Sequence, residues 1–254
     1  QRQMCIRDRN KETIPILTSS GCPFNCSFCA VGLLCHNFEQ RDPSSVVSEI
    51  ESHHQQHKTR NFAFYDDALL LNKERHFLLI LKEIVRKNLP LVFHTPNGLH
   101  LKEIDSEVAS LFKKANVQSL FLSQEFFDKD LLSKSCPKVS EGDLEKALFY
   151  LEKASYSRQE INVYLLVGLP GQDISTASES ILHVRRLGAR PRLAFFSPVP
   201  GTEEWQNLVK KGLLAAESDP LLHNKLVFPY LGGSITPQDF EFLRVLVGNP
   251  GIKD

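Results

Sequence analysis

Six times between Thr13 and Lys211 the chain passes from a short apolar run to a helical stretch. A strand followed by a helix that packs back on it builds a parallel sheet, because parallel neighbours need a crossover and the helix supplies it. The apolar runs are Thr13–Ser19, Phe62–Tyr65, Leu91–Thr95, Ser119–Ser123, Ile161–Val167 and Leu193–Phe196. The stretches between them place apolar residues on one face of a helix: Val46, Val47 and Ile50 behind an Asp42-Pro43 start, then Phe77, Ile80, Leu81 and Ile84 within Lys73–Lys87. The same spacing recurs at Ile104, Val108, Leu111 and Phe112, and at Leu144, Ala147, Leu148 and Leu151. Further helices are expected over Ile174–Leu187 and Thr202–Lys211. A full barrel of this type has eight strand–helix units. Six predict an α/β fold, a partial (β/α)6 TIM-type barrel with a parallel sheet.

Loops at the C-terminal ends of such strands carry the chemistry. The first of them reads Gly21-Cys22-Pro23-Phe24-Asn25-Cys26-Ser27-Phe28-Cys29. Three thiolates on one short loop can hold three corners of a cubane iron–sulfur cluster. A fourth thiolate is not obviously supplied, which leaves one iron open for chemistry. A structural zinc site using Cys22, Cys26, Cys29 and Cys35 is the first alternative, but such sites favour two close pairs separated by a longer spacer, and that arrangement is missing. Disulfides are the second, and the clustered spacing argues against them. Cys35 and Cys136 read as buried or incidental thiols.

The three-cysteine loop, the Tyr65-Asp66-Asp67 strand end, the Gly168-Leu169-Pro170-Gly171 turn and the Pro200-Gly201-Thr202 loop together resemble the radical S-adenosylmethionine (radical SAM) superfamily. The style of the motifs is similar to members that carry an N-terminal cobalamin-binding domain. The resemblance implies a [4Fe–4S] cluster on Cys22, Cys26 and Cys29, with the amino and carboxylate groups of S-adenosylmethionine on the open iron. It implies that Phe28 lies against the adenine, and that Asp66 and Asp67 approach the amino group. Asn97, within a Pro96-Asn97-Gly98 turn signal, would hydrogen-bond near the cofactor, and His94 could also face the site. Glu125, with Ser123 beside it, would accept from the ribose hydroxyls. Here the chain departs from the family's Gly-x-Glu-Ser pattern, reading Gln124-Glu125-Phe126. Gly168 would let backbone approach the adenine. Ser197 is a further cofactor-side candidate, on a loop that would line the substrate cavity.

The resemblance further implies a small-molecule or lipid substrate, a reducing partner such as flavodoxin or ferredoxin, and cobalamin bound through a preceding domain. Methylation, ring contraction and cyclisation are all open. Two rivals stand beside it. One is a tRNA or protein methylthiotransferase, which would bring a second three-cysteine cluster and a basic module, neither of them visible. The other is a non-catalytic iron–sulfur carrier or sensor, which gains ground if Cys35 completes the ligand set.

Gln3–Arg9 matches a translated sequencing-library adapter (CAG ATG TGT ATA AGA GAC AGR), so residues 1–9 are expected to be foreign, Met4 and Cys5 included. The expected core is 10–212, followed by an extension over 213–254 with a capped helix at Thr236-Pro237. Removing three arginines and one aspartate from 30 basic and 30 acidic residues leaves a net charge of −2. No basic patch dominates, so nucleic acid is not expected as a primary partner. The apolar runs are too short to span a membrane. Thiols that must ligate iron fit a reducing cytoplasmic compartment. His53 and His57 share a helix face with i, i+4 spacing, but the Gln55-Gln56 surroundings read as solvated surface rather than a metal site.

Overall fold

A computed structural model describes residues 13–224 and 235–248. Residues 1–9 lie outside it. Six strands form one sheet: β1 (Thr13–Ile16), β2 (Asn61–Phe64), β3 (Val92–Leu99), β4 (Val117–Glu125), β5 (Ile161–Val167) and β6 (Arg190–Phe195). They lie side by side in chain order, every neighbouring pair parallel. Among the described residues β1 and β6 do not pair, so the barrel is open. The crossovers are made by α2 (Pro43–His57), α3 (Phe77–Lys87), α4 (Ser106–Lys114), α6 (Asp143–Lys153) and α7 (Ile174–Arg186), while α8 (Glu203–Lys210) follows β6. A four-residue α1 (Val31–Leu34) sits in the cysteine loop, and α5 (Lys129–Ser135) sits between β4 and α6.

The helices begin where short polar side chains satisfy first-turn N–H groups. Asp42 accepts from Ser45 N–H at 3.0 Å, Asp105 from Val108 at 2.9 Å, Asp128 from Leu131 at 2.8 Å and Asp173 from Thr176 at 2.7 Å. The Asp128 cap starts α5, a helix too short to announce itself by periodicity.

Between the sheet and the outer helices the core is aromatic. Phe64 stacks on Phe93 at 5.4 Å between ring centroids and meets Phe77 edge-on at 5.1 Å, and Phe77 meets Phe112 at 6.2 Å. These rings join β2, β3, α3 and α4, and all four are buried. Offset and edge contacts of this kind add to the burial of apolar area.

Two local expectations change. Lys73–Lys87 is not one helix: a 3-10 turn at Lys73–Arg75 precedes α3. The break follows the Lys73 side chain, whose ammonium turns inward to Asp105 at 2.9 Å. Pro96-Asn97-Gly98 is not a turn either. It lies within β3 as a bulge, because Thr95 pairs with Leu120 and Leu99 with Leu122, leaving extra residues on β3. Gly98 is required there: a Cβ would collide with the Ser123 hydroxyl of β4. In the extension, α9 (Pro237–Val247) is started by a Thr236/Asp239 capping box and packs on α7 and β6, with Phe240 4.6 Å from Phe195. Among the described residues no helix is long and apolar enough to cross a membrane.

Truncating Phe64 to alanine removes the ring shared by β2, β3 and α3. Urea denaturation should show a loss of about 3–5 kcal/mol, the range for deleting a buried phenylalanine.

Candidate active site

The chain leaves β1 through Thr18 and Ser19, and a buried carboxylate from the end of β2 fixes how it does so. Asp66 Oδ1 accepts from Thr18 N–H at 3.0 Å, Thr18 Oγ1 at 2.7 Å, Ser19 N–H at 2.5 Å and Ser19 Oγ at 2.6 Å. A two-residue antiparallel ribbon, Ser19–Ser20 with Glu39–Gln40, then closes the loop at its base. Gly21 adopts φ +80°, and a side chain there would strike the Asn37 carbonyl. The loop between holds all three motif cysteines.

Cys26 is buried, and Cys22 and Cys29 are half-buried; none is in a disulfide. Cys29 N–H donates to the Cys26 carbonyl at 3.0 Å, folding the second half of the motif into a turn. Ser27 clamps the loop from two sides. Its N–H donates to Ser135 C=O at 3.1 Å, its C=O accepts from Glu204 N–H at 3.0 Å, and its hydroxyl donates to the Glu204 carboxylate at 2.9 Å. Ends of α5 and α8 thereby hold one residue between Cys26 and Cys29.

Burial pushes the Cys22 and Cys29 thiols up, against the pull of the Lys138 ammonium. Cys26 is held down, chiefly by the thiol of Cys136, whose sulfur lies 4.0 Å away and whose own proton is held correspondingly tighter. Lys138 is mostly buried. Burial alone would lower its pKa, but the Glu125 carboxylate at 3.5 Å and the surrounding thiols outweigh it and raise it. Glu125 itself has φ +63°, rare for a non-glycine residue, at a shift in the pairing of β4 with β5.

The other expected residues divide. Asp66 is consumed by Thr18 and Ser19, whereas Asp67 is exposed and held above the usual carboxylate range by partial burial and by Asp66. Asp67 also acts electrostatically on Cys29. Asn97 donates to the Tyr65 and Asp66 carbonyls at 2.7 and 3.3 Å, which ties the β3 bulge to the end of β2. Phe28 meets Phe126 edge-on at 6.2 Å. Ser123 is buried beside Gly98. Gly168, at φ +90°, donates its N–H to Gln172 Oε1 at 2.8 Å. Ser197 donates to the His223 carbonyl at 2.7 Å. His94 bonds Ser119 at 2.9 Å and Asn61 at 3.3 Å, beside the start of β2 and so away from the strand ends.

Lys138, Glu204 and His100 were given no role from the sequence, and Cys136 was read as a buried or incidental thiol. The run Lys134-Ser135-Cys136-Pro137-Lys138 is the one signal that could have drawn notice. Among the described residues no three His, Cys, Asp or Glu side chains converge on the space of a single metal ion. Buried or half-buried thiols beside an ammonium are donors of the kind that an iron–sulfur cluster takes.

The sequence matches the radical SAM superfamily over residues 16–184, and the chain belongs to that superfamily. Membership implies a [4Fe–4S] cluster and S-adenosylmethionine as cofactors, and the chain carries an enzyme core of this kind. Among curated relatives, the anaerobic magnesium-protoporphyrin IX monomethyl ester cyclase of Cereibacter sphaeroides is 24% identical over 74% of this chain and 31% of its own length. An uncharacterized methyltransferase of Pyrococcus horikoshii is 21% identical over 78% of this chain and 42% of its own. Among solved structures, the radical S-adenosylmethionine methyltransferase TsrM of Kitasatospora setae, with tryptophan and a SAM analogue bound, shares the fold at TM-score 0.69. It is 22% identical and is matched over 82% of this chain and 40% of that one. The cobalamin-dependent radical enzyme OxsB aligns at TM-score 0.65 with 8% identity, over 94% of this chain and 41% of that one. The chain thus spans well under half the length of these relatives.

Asp66→Asn should cost about 1–3 kcal/mol, the range for a buried hydrogen bond to a charged group, and speed amide exchange at Thr18 and Ser19. His100 supplies a pH test. It is buried, its Nδ1 has no hydrogen-bond partner among the described residues, its ring meets Phe24 of the cysteine loop at 5.0 Å, and burial with the Lys138 charge depresses its pKa to about 3. The unfolded chain therefore binds a proton that the folded chain refuses, from the ordinary value of 6.5 down to about 3. His100's contribution to stability is complete above that window and declines as pH falls through it. Urea midpoints at pH 7.5 and pH 5 should differ less in His100→Leu than in the wild type.

Proposed function

We propose that Cys22, Cys26 and Cys29 hold a [4Fe–4S] cluster and that the strand ends around them bind S-adenosylmethionine to start radical chemistry. The observation behind this reading is a loop of three free thiols, pinned to the strand ends by Asp66 and faced by the buried ammonium of Lys138. When bound, the cluster supplies the electron that cleaves the sulfonium into methionine and a 5′-deoxyadenosyl radical. The chain's own residues bind and orient. Lys138 offsets the negative charge of thiolates and of a cofactor carboxylate. Asp67, free of the Asp66 network, receives the amino group, and Asn97 steadies that strand end. Glu125 accepts from the ribose hydroxyls with Ser123 beneath it, while Phe28 and the Gly168 backbone flank the adenine. Ser197 lies at the margin, its hydroxyl committed to His223.

For the reaction class, the likeness to TsrM, OxsB and the cyclases supports cobalamin-linked methylation, or rearrangement and ring closure, of a small molecule or lipid. Electrons would come from a flavodoxin- or ferredoxin-like donor. The test is anaerobic reconstitution with iron and sulfide, reduction, and mass spectrometry for 5′-deoxyadenosine. Wild type should form it, Cys26→Ala should not, and Glu125→Gln should raise the KM for S-adenosylmethionine roughly tenfold, about 1.4 kcal/mol. A folded wild type that binds no cluster would sink this reading.

A further inference from the structure

Cys136 stands 110 positions from Cys26, yet their sulfurs lie 4.0 Å apart. Cys136 is fully buried, at 0% exposure. The approach is built into the backbone. Ser27 N–H donates to Ser135 C=O at 3.1 Å, stitching the residue after Cys26 to the residue before Cys136, and Cys136 N–H closes α5 on Leu132 C=O at 3.0 Å. Among the described residues, Cys26 Sγ is the hydrogen-bonding partner of the Cys136 side chain.

We propose that Cys136 is a positioning residue for the cluster: its S–H donates to the Cys26 sulfur once that sulfur is a thiolate on iron, and so raises the cluster's reduction potential. This rests on the reading that Cys26 is a ligand. A ligated thiolate has no proton to give, so the donor must be Cys136. Reduction adds negative charge to the cluster and its sulfurs. A donor aimed at one of those sulfurs, in a site with little competing water, favours the reduced state more than the oxidised one. A thiol is a weak donor, so the effect is a bias rather than a switch. Ligation by Cys136 fits the geometry poorly, since the corners of a cubane diverge and two sulfurs this close cannot serve separate irons.

The test is an anaerobic redox titration, followed by electron paramagnetic resonance, on the reconstituted full chain. Wild type is compared with Cys136→Ala, Cys136→Val and Cys136→Ser, and circular dichroism melts report folding. Two apolar variants are used so that one poorly folded protein does not decide the matter. Both should keep wild-type iron and sulfide. At a fixed potential their ratio of reduced to oxidised cluster should fall about tenfold, about 59 mV for a one-electron couple. Cys136→Ser keeps an O–H donor and should recover most of that shift. An unchanged midpoint in a folded apolar variant overturns the inference, as does loss of iron in one, which would make Cys136 a ligand. A folded wild type without a cluster would remove the reading beneath it instead.

Discussion

The Asp66 carboxylate decides where the cysteine loop begins. A carboxylate is the only ordinary side chain that accepts without donating and has room for several donors, so one group can satisfy two N–H and two O–H groups together. Burying it would be costly if any of those bonds were missing. Because they are made, the chain turns from β1 into the ribbon in one way, and the loop hangs from a fixed point on the β2 end. The adjacent acids thus divide their labour. Asp66 is committed to Thr18 and Ser19, while Asp67 stays exposed beside the loop that Asp66 places.

A second constraint is charge. Three thiols and the carboxylates of Glu125 and Asp67 gather in a partly desolvated space, where like charges repel strongly and an unpaired one is expensive. Lys138 enters from the turn after α5 and meets Glu125 at 3.5 Å. It is placed there by the same segment that holds Cys136 against Cys26 and Ser135 against Ser27. The short helix between β4 and α6 is therefore more than a connector. It brings a cation, a thiol and a backbone carbonyl to the cysteine loop in one piece, and the Asp128 cap that starts it acts on the site from a distance.

Much of the fold was legible because it rests on periodicity, which survives in a linear string. All six strands and the helices bearing Phe77, Val108, Leu144 and Ile174 fall where their apolar spacing puts them. The misread places are those where a tertiary contact overrides the local signal. Pro96-Asn97-Gly98 has turn chemistry, but the Ser123 hydroxyl beneath Gly98 and the carbonyls offered to Asn97 draw it into β3. Lys73 belongs to a helical pattern, but its ammonium leaves the surface for Asp105 and breaks the helix start. At the site, the three cysteines were visible because one loop carries them all. Cys136, Lys138 and Glu204 were not, since each joins that loop from a distant element and no spacing encodes the meeting.

The open edge sets what such a site can do alone. β6 has no partner on its far side among the described residues, and α9 does not stand in for one. It packs against α7 and β6 through Phe240 and Phe195, thickening the helical layer and leaving the gap to β1 as it was. At the strand ends, however, the two edges are tied together: Ser27 of the loop after β1 is bonded to Glu204 at the start of α8, the helix that follows β6. On the proposed reading Glu125, Asp67 and Lys138 would hold the cofactor on that same face, so the bonds that tie the edges also border the site.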